Sequence, residues 1–138
     1  MERPVGQTRD VGWEIGVSRT VSHGSAEVWS FLTSPEGVAL WVGPGALLEP
    51  TKGARYTADD GTAGEVRSFR PGDRIRITWR PAVWTHDSIV QLVVRPAATG
   101  TSVRFHQEHL VDADERERQR THWSDVLGAI TSALAERQ

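Results

Sequence analysis

The sequence predicts an α+β fold in which a largely antiparallel sheet packs against one long C-terminal helix. Three observations carry this prediction. Apolar and polar residues alternate between tight turns from Lys52 to Val111. Helical spacing is confined to two short segments after the first strand and to the last part of the chain. Because strands follow one another in a run, the order favours α+β over an alternating parallel fold.

The N-terminal third predicts one strand and then two short helices. Apolar residues alternate with polar or small ones from Trp13 to Val17, which is strand period. Residues 25–33 change to helical spacing. Ser34 then provides a helix cap, and Pro35 suits the first helical position. The stretch Gly43-Pro44-Gly45 predicts the end of this second helix.

The middle of the chain predicts consecutive strands joined by tight turns. Asp59-Asp60-Gly61 is a hairpin signal, and residues 70–73 (Arg-Pro-Gly-Asp) form another turn signal. Apolar residues from Ile75 to Trp79 alternate with arginine and threonine, which predicts one apolar face and one arginine-bearing face. Residues 88–95 and 101–111 predict two further strands.

The last element is a helix over residues 113–135. Asp112 and Glu115 have the spacing of a capping box. Apolar residues then recur as one stripe, formed by Trp123, Val126, Leu127, Ile130 and Leu134. We expect this stripe to lie in the concave face of the sheet, away from the arginines.

Composition narrows the class of protein. The chain has 138 residues, a net charge of -2 and no cysteine, so disulfides, thiolate metal sites and cysteine nucleophiles are excluded. We expect a flexible tail over residues 1–11 and one domain over 12–138. No apolar run reaches the roughly 20 residues of a membrane span, and the start lacks a signal-peptide core. A cytoplasmic monomer or homodimer with no nucleic-acid or membrane partner is therefore expected.

Two histidines frame the pentapeptide from His106 to Leu110 and suggest a metal site. Side chains alternate faces along a strand, so His106 and Glu108 are expected on a solvated outer face. Gln107 and His109 then follow the apolar residues before them inward. The two histidines point opposite ways, so neither a metal nor a cofactor is expected.

An amide and an imidazole on an apolar wall allow two interpretations. His109 is either a buried histidine satisfied by a carbonyl, or, with Gln107, a polar handle that orients a ligand. Trp41 and Trp84 lie near predicted loop ends, where rings can form a cavity mouth, and Arg116 precedes Trp123 by two helical turns. The candidate ligand-binding residues are Trp41, Trp79, Trp84, Phe105, Gln107, His109, Arg116, Gln119, Arg120, Trp123 and Leu127.

Three stretches resemble a known family. They are "AEVWSFLTSPEGVALWVG", "GEVRSFRPGDRIRITW" and "GTSVRFHQEHL" followed by "HWSDVLGAI". Together they resemble the START-like, or SRPBCC, superfamily, and within it the branch named after homologues of the heat-shock-protein-90 ATPase activator. The resemblance implies the helix-grip, birch-pollen-allergen-like fold: a curved antiparallel sheet of about six strands wrapped round a long C-terminal helix, with a cavity between them.

The resemblance leaves three functions open. Many members bind apolar small molecules, so the first expectation is binding of a small apolar or aromatic molecule in an internal cavity. The second is an enzyme, such as a cyclase or hydrolase acting on an aromatic polyketide-like substrate, with His109 as acid or base. The third is a chaperone-partner module. No catalytic constellation is evident from the residues, so catalytic residues are not assigned.

Overall fold

Seven antiparallel strands form one sheet in the order β1-β2-β7-β6-β5-β4-β3. The computed structural model describes residues 7–8 and 12–137, with side chains from residue 12 onward. The strands are β1 Gln7–Thr8, β2 Gly12–Val21, β3 Arg55–Thr57, β4 Ala63–Arg70, β5 Arg74–Trp79, β6 Ser88–Ala97 and β7 Gly100–Leu110. The helices are α1 Ser25–Leu32, α2 Pro35–Trp41 and α3 Ala113–Glu136.

This order confirms the predicted α+β helix-grip architecture, with two short helices after the first main strand and a curved sheet around a long C-terminal helix. Within the described residues, the structure adds the two-residue strand β1, whose Gln7 pairs with Trp13 in β2. Residues 7–8 fall within the expected flexible tail and are instead in a strand. The rest of that tail, residues 1–6 and 9–11, lies outside the described residues.

The corner between α1 and α2 is built by Ser34 and Gly37. The Ser34 hydroxyl accepts from the backbone N–H of Gly37 at 3.2 Å and donates to the carbonyl oxygen of Phe31 at 2.6 Å. A Cβ placed on Gly37 would overlap that same carbonyl oxygen. The serine cap begins α2 as predicted, and the glycine lets the two helices approach closely.

The predicted turns form where expected. The turn between β4 and β5 closes through the Asp73 N–H, which donates to the carbonyl oxygen of Arg70 at 3.0 Å. Gly72 has a φ of 75°, which a type II turn requires of the residue after its proline. Between β3 and β4, the Gly61 N–H closes a turn by donating to the carbonyl oxygen of Ala58 at 3.0 Å, and Gly61 has a φ of 89°.

The long helix lies on the apolar face of the sheet, as predicted. Asp112 caps it, because its carboxylate accepts from the N–H of Glu115 at 2.7 Å. The predicted stripe is buried along its whole length, from Trp123 to Leu134. The Trp123 ring stacks on Phe105 of β7 with a centroid separation of 4.7 Å. The arginines of β5 lie on the opposite face of the sheet from these contacts.

Candidate ligand-binding site

The space between α3 and the sheet is filled by aromatic rings. Trp41 lies 5.7 Å from Phe105, and Trp79 lies 5.6 Å from Trp123, measured between ring centroids. Six predicted ligand-binding residues are buried in this interior: Trp41, Trp79, Phe105, Gln107, Trp123 and Leu127. These side chains pack together in the hydrophobic core at the centre of the molecule.

The polar atoms in this core are used within the protein. Trp123 Nε1 donates to Gln107 Oε1 at 2.8 Å, and Gln107 Nε2 donates to Ser88 Oγ at 2.9 Å. Ser88 Oγ in turn donates to the carbonyl oxygen of Trp79 at 2.7 Å. Gln107 therefore lies inward, as its position in the strand predicted, but its amide already has two protein partners. Ser88, which completes the chain, was not among the predicted residues.

His109 lies on the wrong side of the strand for the predicted role. Trp13 pairs with Leu110 and Ile15 with Gln107, so one residue of β2 stands opposite two residues of β7. This β-bulge holds His109 at a φ of 67° and leaves its side chain exposed. The extra residue reverses the alternation of faces. The inward placement of His109 is therefore wrong, and so is the polar handle that depended on it.

The two tryptophans expected at a cavity mouth lie in different parts of the structure. Trp41 ends α2 and is buried, with its Nε1 donating to the carbonyl oxygen of Leu32 at 2.9 Å. Its expected position at the mouth is wrong, because α2 packs against α3 and its last residue, Trp41, lies inward against Phe105. Trp84 is half-buried in the loop of residues 80–87 between β5 and β6. This position agrees with the prediction.

The three polar residues of α3 among the predicted ligand-binding residues also lie in different surroundings. Arg116 Nε donates to the carbonyl oxygen of Glu14 in β2 at 2.7 Å. Arg120 is exposed and lies 3.7 Å from a carboxylate oxygen of Glu117. Gln119, in contrast, has a buried Oε1. Of the three, only Gln119 has a polar atom that faces the protein interior with no protein partner among residues 12–137.

A cluster of rings lies where the 80–87 loop meets the first turns of α3. Trp84 stacks on His86 at 4.6 Å and meets Trp79 edge-on at 5.6 Å. From the helix, His122 lies 5.6 Å from Trp79 and 4.6 Å from Trp123. We call this cluster the mouth; its residues are Trp79, Trp84, His86, Glu115, Gln119, His122 and Trp123.

The mouth consists of two facing rows. Glu115, Gln119 and His122 are spaced four and then three residues apart, so they lie along one face of α3. At one end His86 Nε2 is 2.9 Å from a carboxylate oxygen of Glu115. At the other end His122 meets Trp79. Gln119 is therefore in the middle of the helical row, between the two contacts that join it to the opposite row.

Two polar atoms in this row are buried without a hydrogen-bond partner among the described residues: Gln119 Oε1 and His122 Nε2. Burial lowers the pKa of His122, and the nearby Asp125 carboxylate opposes that shift only in part. The imidazole is therefore neutral near pH 7 and keeps one nitrogen lone pair. Buried polar atoms nearly always have partners, so these two atoms are exceptions within the described part of the chain.

His86 is already engaged at both ring nitrogens. Its Nδ1 is 3.0 Å from the carbonyl oxygen of Asp87, which can only accept, and its Nε2 faces Glu115. Glu115 is buried and also accepts from the N–H of Val111 at 3.1 Å. The pair therefore clasps the loop to the start of α3, and both His86 ring nitrogens have protein partners.

The sequence interpretation missed His86 and His122. The available signal was the spacing of Glu115, Gln119 and His122, which places all three on one helical face next to Trp123. No local pattern joins the 80–87 loop to that face, because the two segments are about thirty residues apart.

His106 and Glu108 lie on the outer face of the sheet, as predicted. Glu108 is more buried than a solvated face implies, because Arg76 Nη2 approaches it at 3.3 Å. His106 Nε2 lies 3.3 Å from Glu14, with Nδ1 3.6 Å from Glu108. Within the described part of the chain, no three histidine, aspartate or glutamate side chains are grouped to hold a metal ion.

Comparison with known proteins gives a family and several similar folds. The family model described as "Activator of Hsp90 ATPase homolog 1-like protein" matches residues 23–135. Protein MLL2253 of Mesorhizobium loti is 24% identical with a TM-score of 0.76, over 91% of this chain and 98% of that one. CalU16 of Micromonospora echinospora is 18% identical with a TM-score of 0.76, over 89% and 76% of the two chains.

A further similar structure is DynU16, described as a putative protein in the dynemicin biosynthetic locus. It is 23% identical with a TM-score of 0.77, over 88% of this chain but 47% of that one. At these identities the structural likeness establishes the fold alone. No curated protein matches the chain in sequence. Among residues 7–8 and 12–137, no helix has both the length and the apolar character needed to cross a membrane.

Proposed function

The chain belongs to the family of activator of Hsp90 ATPase homolog 1-like proteins, and on that premise we propose that it binds a small aromatic molecule at the mouth. One observation carries the proposal. Gln119 Oε1 and His122 Nε2 are buried beside a cluster of five rings and have no protein partner in the described chain. Flat walls with a few converging polar atoms are typical of small-molecule sites.

The chemistry of the mouth selects the kind of ligand. Gln119 Oε1 only accepts, so its partner must carry an O–H or N–H group. Glu115 is in the same helical row, and the arginines Arg116 and Arg120 point elsewhere. None of the mouth residues is a lysine or arginine that could bind a ligand carboxylate. An uncharged aromatic molecule with a hydroxyl or amine donor fits best.

The ligand site is at the end of the core rather than at its centre. Trp123 and Phe105 are fully buried, and their contacts leave the middle of the molecule packed. Trp84 is half-buried, and its ring packs on those of Trp79 and His86. A ligand ring that takes the place of Trp84 against Trp79 gains a similar contact. The occurrence of this fold in DynU16 is in keeping with a small-molecule ligand.

The two alternative functions have less support. The enzyme alternative had His109 as its acid or base, and this side chain lies exposed at the bulge of β7. An exposed position away from the mouth does not support that role. A role as a partner module of a chaperone rests on the family name alone, and no surface described above argues for it.

Three ligands with one ring system test the proposal. They are 2-naphthol, which has a donor; 2-methoxynaphthalene, which has none; and 2-naphthoate, which is an anion. We expect 2-naphthol to bind about tenfold more tightly than the ether, because one hydrogen bond to a buried acceptor contributes about 1–1.5 kcal/mol. We expect the carboxylate to bind most weakly. Titration calorimetry gives the three affinities.

Matched variants test whether Gln119 and His122 are the source of the preference for the naphthol. Gln119→Leu and His122→Leu should each reduce the preference for the naphthol over the ether while both ligands still bind. His109→Asn is the control, because it changes an exposed residue and asparagine tolerates a positive φ. Equal affinity for all three ligands, or an undiminished preference in both leucine variants, would remove the basis for the proposal.

A further inference from the structure

A polar cleft of about 550 Å³ lies at the β3 edge of the sheet. Residues from β3, β4 and β5 line it, together with the two ends of the 80–87 loop. It differs from the mouth in its chemistry, because its lining contains three arginines, Arg55, Arg67 and Arg80, and two carboxylates, Glu65 and Asp87. None of the mouth residues lines it.

The floor of the cleft is fixed by hydrogen bonds within the protein. The Tyr56 hydroxyl donates to the carbonyl oxygen of Thr78 at 2.6 Å, and Thr78 Oγ1 accepts from the N–H of Glu65 at 2.8 Å. Burial, and secondarily the Asp87 carboxylate, raises the pKa of Tyr56 far above its usual range, so the phenol stays a neutral donor. A Cβ on Gly64 would overlap the Thr78 carbonyl oxygen. The depression therefore depends on a glycine at that position.

Strand register sets the spacing of the arginines. Arg55 of β3 stands opposite Glu65 of β4, and Arg80 is held beside Ala63 of β4 by an isolated bridge. Arg55 and Arg80 thus originate two strands apart and are offset by two residues along the strands, which places them about 12 Å apart for a strand spacing near 4.8 Å. Arginine side chains from these positions can reach one anion between them.

The carboxylates only partly neutralise these cations. Glu65 accepts from Arg67 Nη1 at 3.0 Å, whereas Asp87 is 3.8 Å from Arg80 Nε. Arg55 has no ion pair with any of residues 12–137. Three guanidinium groups against two carboxylates leave one positive charge and one guanidinium group uncommitted.

We propose that this cleft binds a small oxyanion, carrying either phosphate or carboxylate groups, held between Arg55 and Arg80. Guanidinium groups bind both kinds of anion in a bidentate manner. Glu65 and Asp87 disfavour long polyanions and can accept from hydroxyl groups of the same ligand. This site is independent of the proposed function at the mouth.

Titration calorimetry at low ionic strength, with inorganic pyrophosphate and with citrate, tests the proposal. We expect saturable one-to-one binding that weakens as salt is added, because the charges are exposed. Arg55→Gln should weaken it about tenfold, through loss of a charge-assisted hydrogen bond. Arg70→Gln is the matched control: it is also exposed, removes the same charge and lies on β4 outside the cleft.

Each outcome of this titration either supports or overturns the proposal. A preference for pyrophosphate identifies a phosphate ligand, a preference for citrate identifies a carboxylate ligand, and either supports the cleft. Equal weakening by Arg55→Gln and Arg70→Gln shows diffuse charge attraction, and absence of saturable binding to both anions shows no site; each overturns the proposal. Gln119→Leu should leave anion binding unchanged, so a failure at the mouth does not affect this result.

Discussion

The pKa of His122 reflects the burial of this side chain at the mouth. Its pKa in the folded protein lies below the unfolded value of about 6.5, because burial disfavours the charged ring. As the pH falls, the unfolded chain therefore takes up this proton first. The contribution of His122 to stability is complete above about pH 6.5 and is lost as the pH falls toward the folded-state pKa.

The direction of this pKa shift predicts how the stability of the protein depends on pH. Between about pH 7 and pH 5, the free energy of unfolding of the wild type should fall more than that of His122→Asn, which does not titrate. Urea denaturation at both pH values measures the difference. The comparison removes the contributions of the other histidines, three of which contact carboxylates. An equal or smaller fall in the wild type would show that the ring is not desolvated.

Individual residues were predictable where alternation is unbroken. Gln107 is inward because it follows Phe105 by two positions in a regular ladder. His109 is outward because a bulge adds one residue between the pairs at Gln107 and Leu110. A bulge is specified by the pairing of two strands that are far apart in sequence, so the β7 sequence alone carries no sign of it.

At the scale of elements, local signals were reliable. Ser34, Asp112 and the Pro71-Gly72 pair each act through neighbours within four residues, and each builds the predicted cap or turn. The contact that positions the 80–87 loop is instead between residues far apart in sequence. His86 reaches Glu115 across the fold at 2.9 Å, and a single sequence does not reveal such a pair.

We expect the His86–Glu115 contact to keep Trp84 in place. His86→Ala should increase amide hydrogen exchange in residues 80–87 and acrylamide quenching of Trp84, because the loop loses both the clasp and the stacked ring. The cost to global stability should be about 1 kcal/mol, typical of one partly exposed hydrogen-bonded pair.

Ser88→Ala is a useful comparison for that variant, because it alters the adjacent strand without touching the clasp. It should reduce global stability by about 1–3 kcal/mol, since Gln107 Nε2 loses its buried acceptor. Exchange in the 80–87 loop should change little beyond this global effect. If His86→Ala leaves loop exchange and Trp84 quenching unchanged, the clasp does not hold the loop.

For the whole molecule, the fold was predictable and the site only in part. The sequence patterns give the order of elements and the face on which α3 packs. They also place Trp79, Trp84, Gln119 and Trp123 among the candidates, and the structure brings these four together at the mouth. The remainder of the candidate set is divided between the packed core and the surface, because close packing depends on side chains from every element at once.

Binding of an aromatic ligand where the 80–87 loop meets α3 is the central claim. The most direct test is a titration of the isotope-labelled protein with 2-naphthol, followed by NMR of the indole N–H and histidine ring signals. We predict saturable shifts at Trp84 and His122, with the signal of Trp29, which packs on Phe69 elsewhere in the fold, unchanged. A shift confined to the Trp29 signal, with those of Trp84 and His122 unmoved, would contradict the claim.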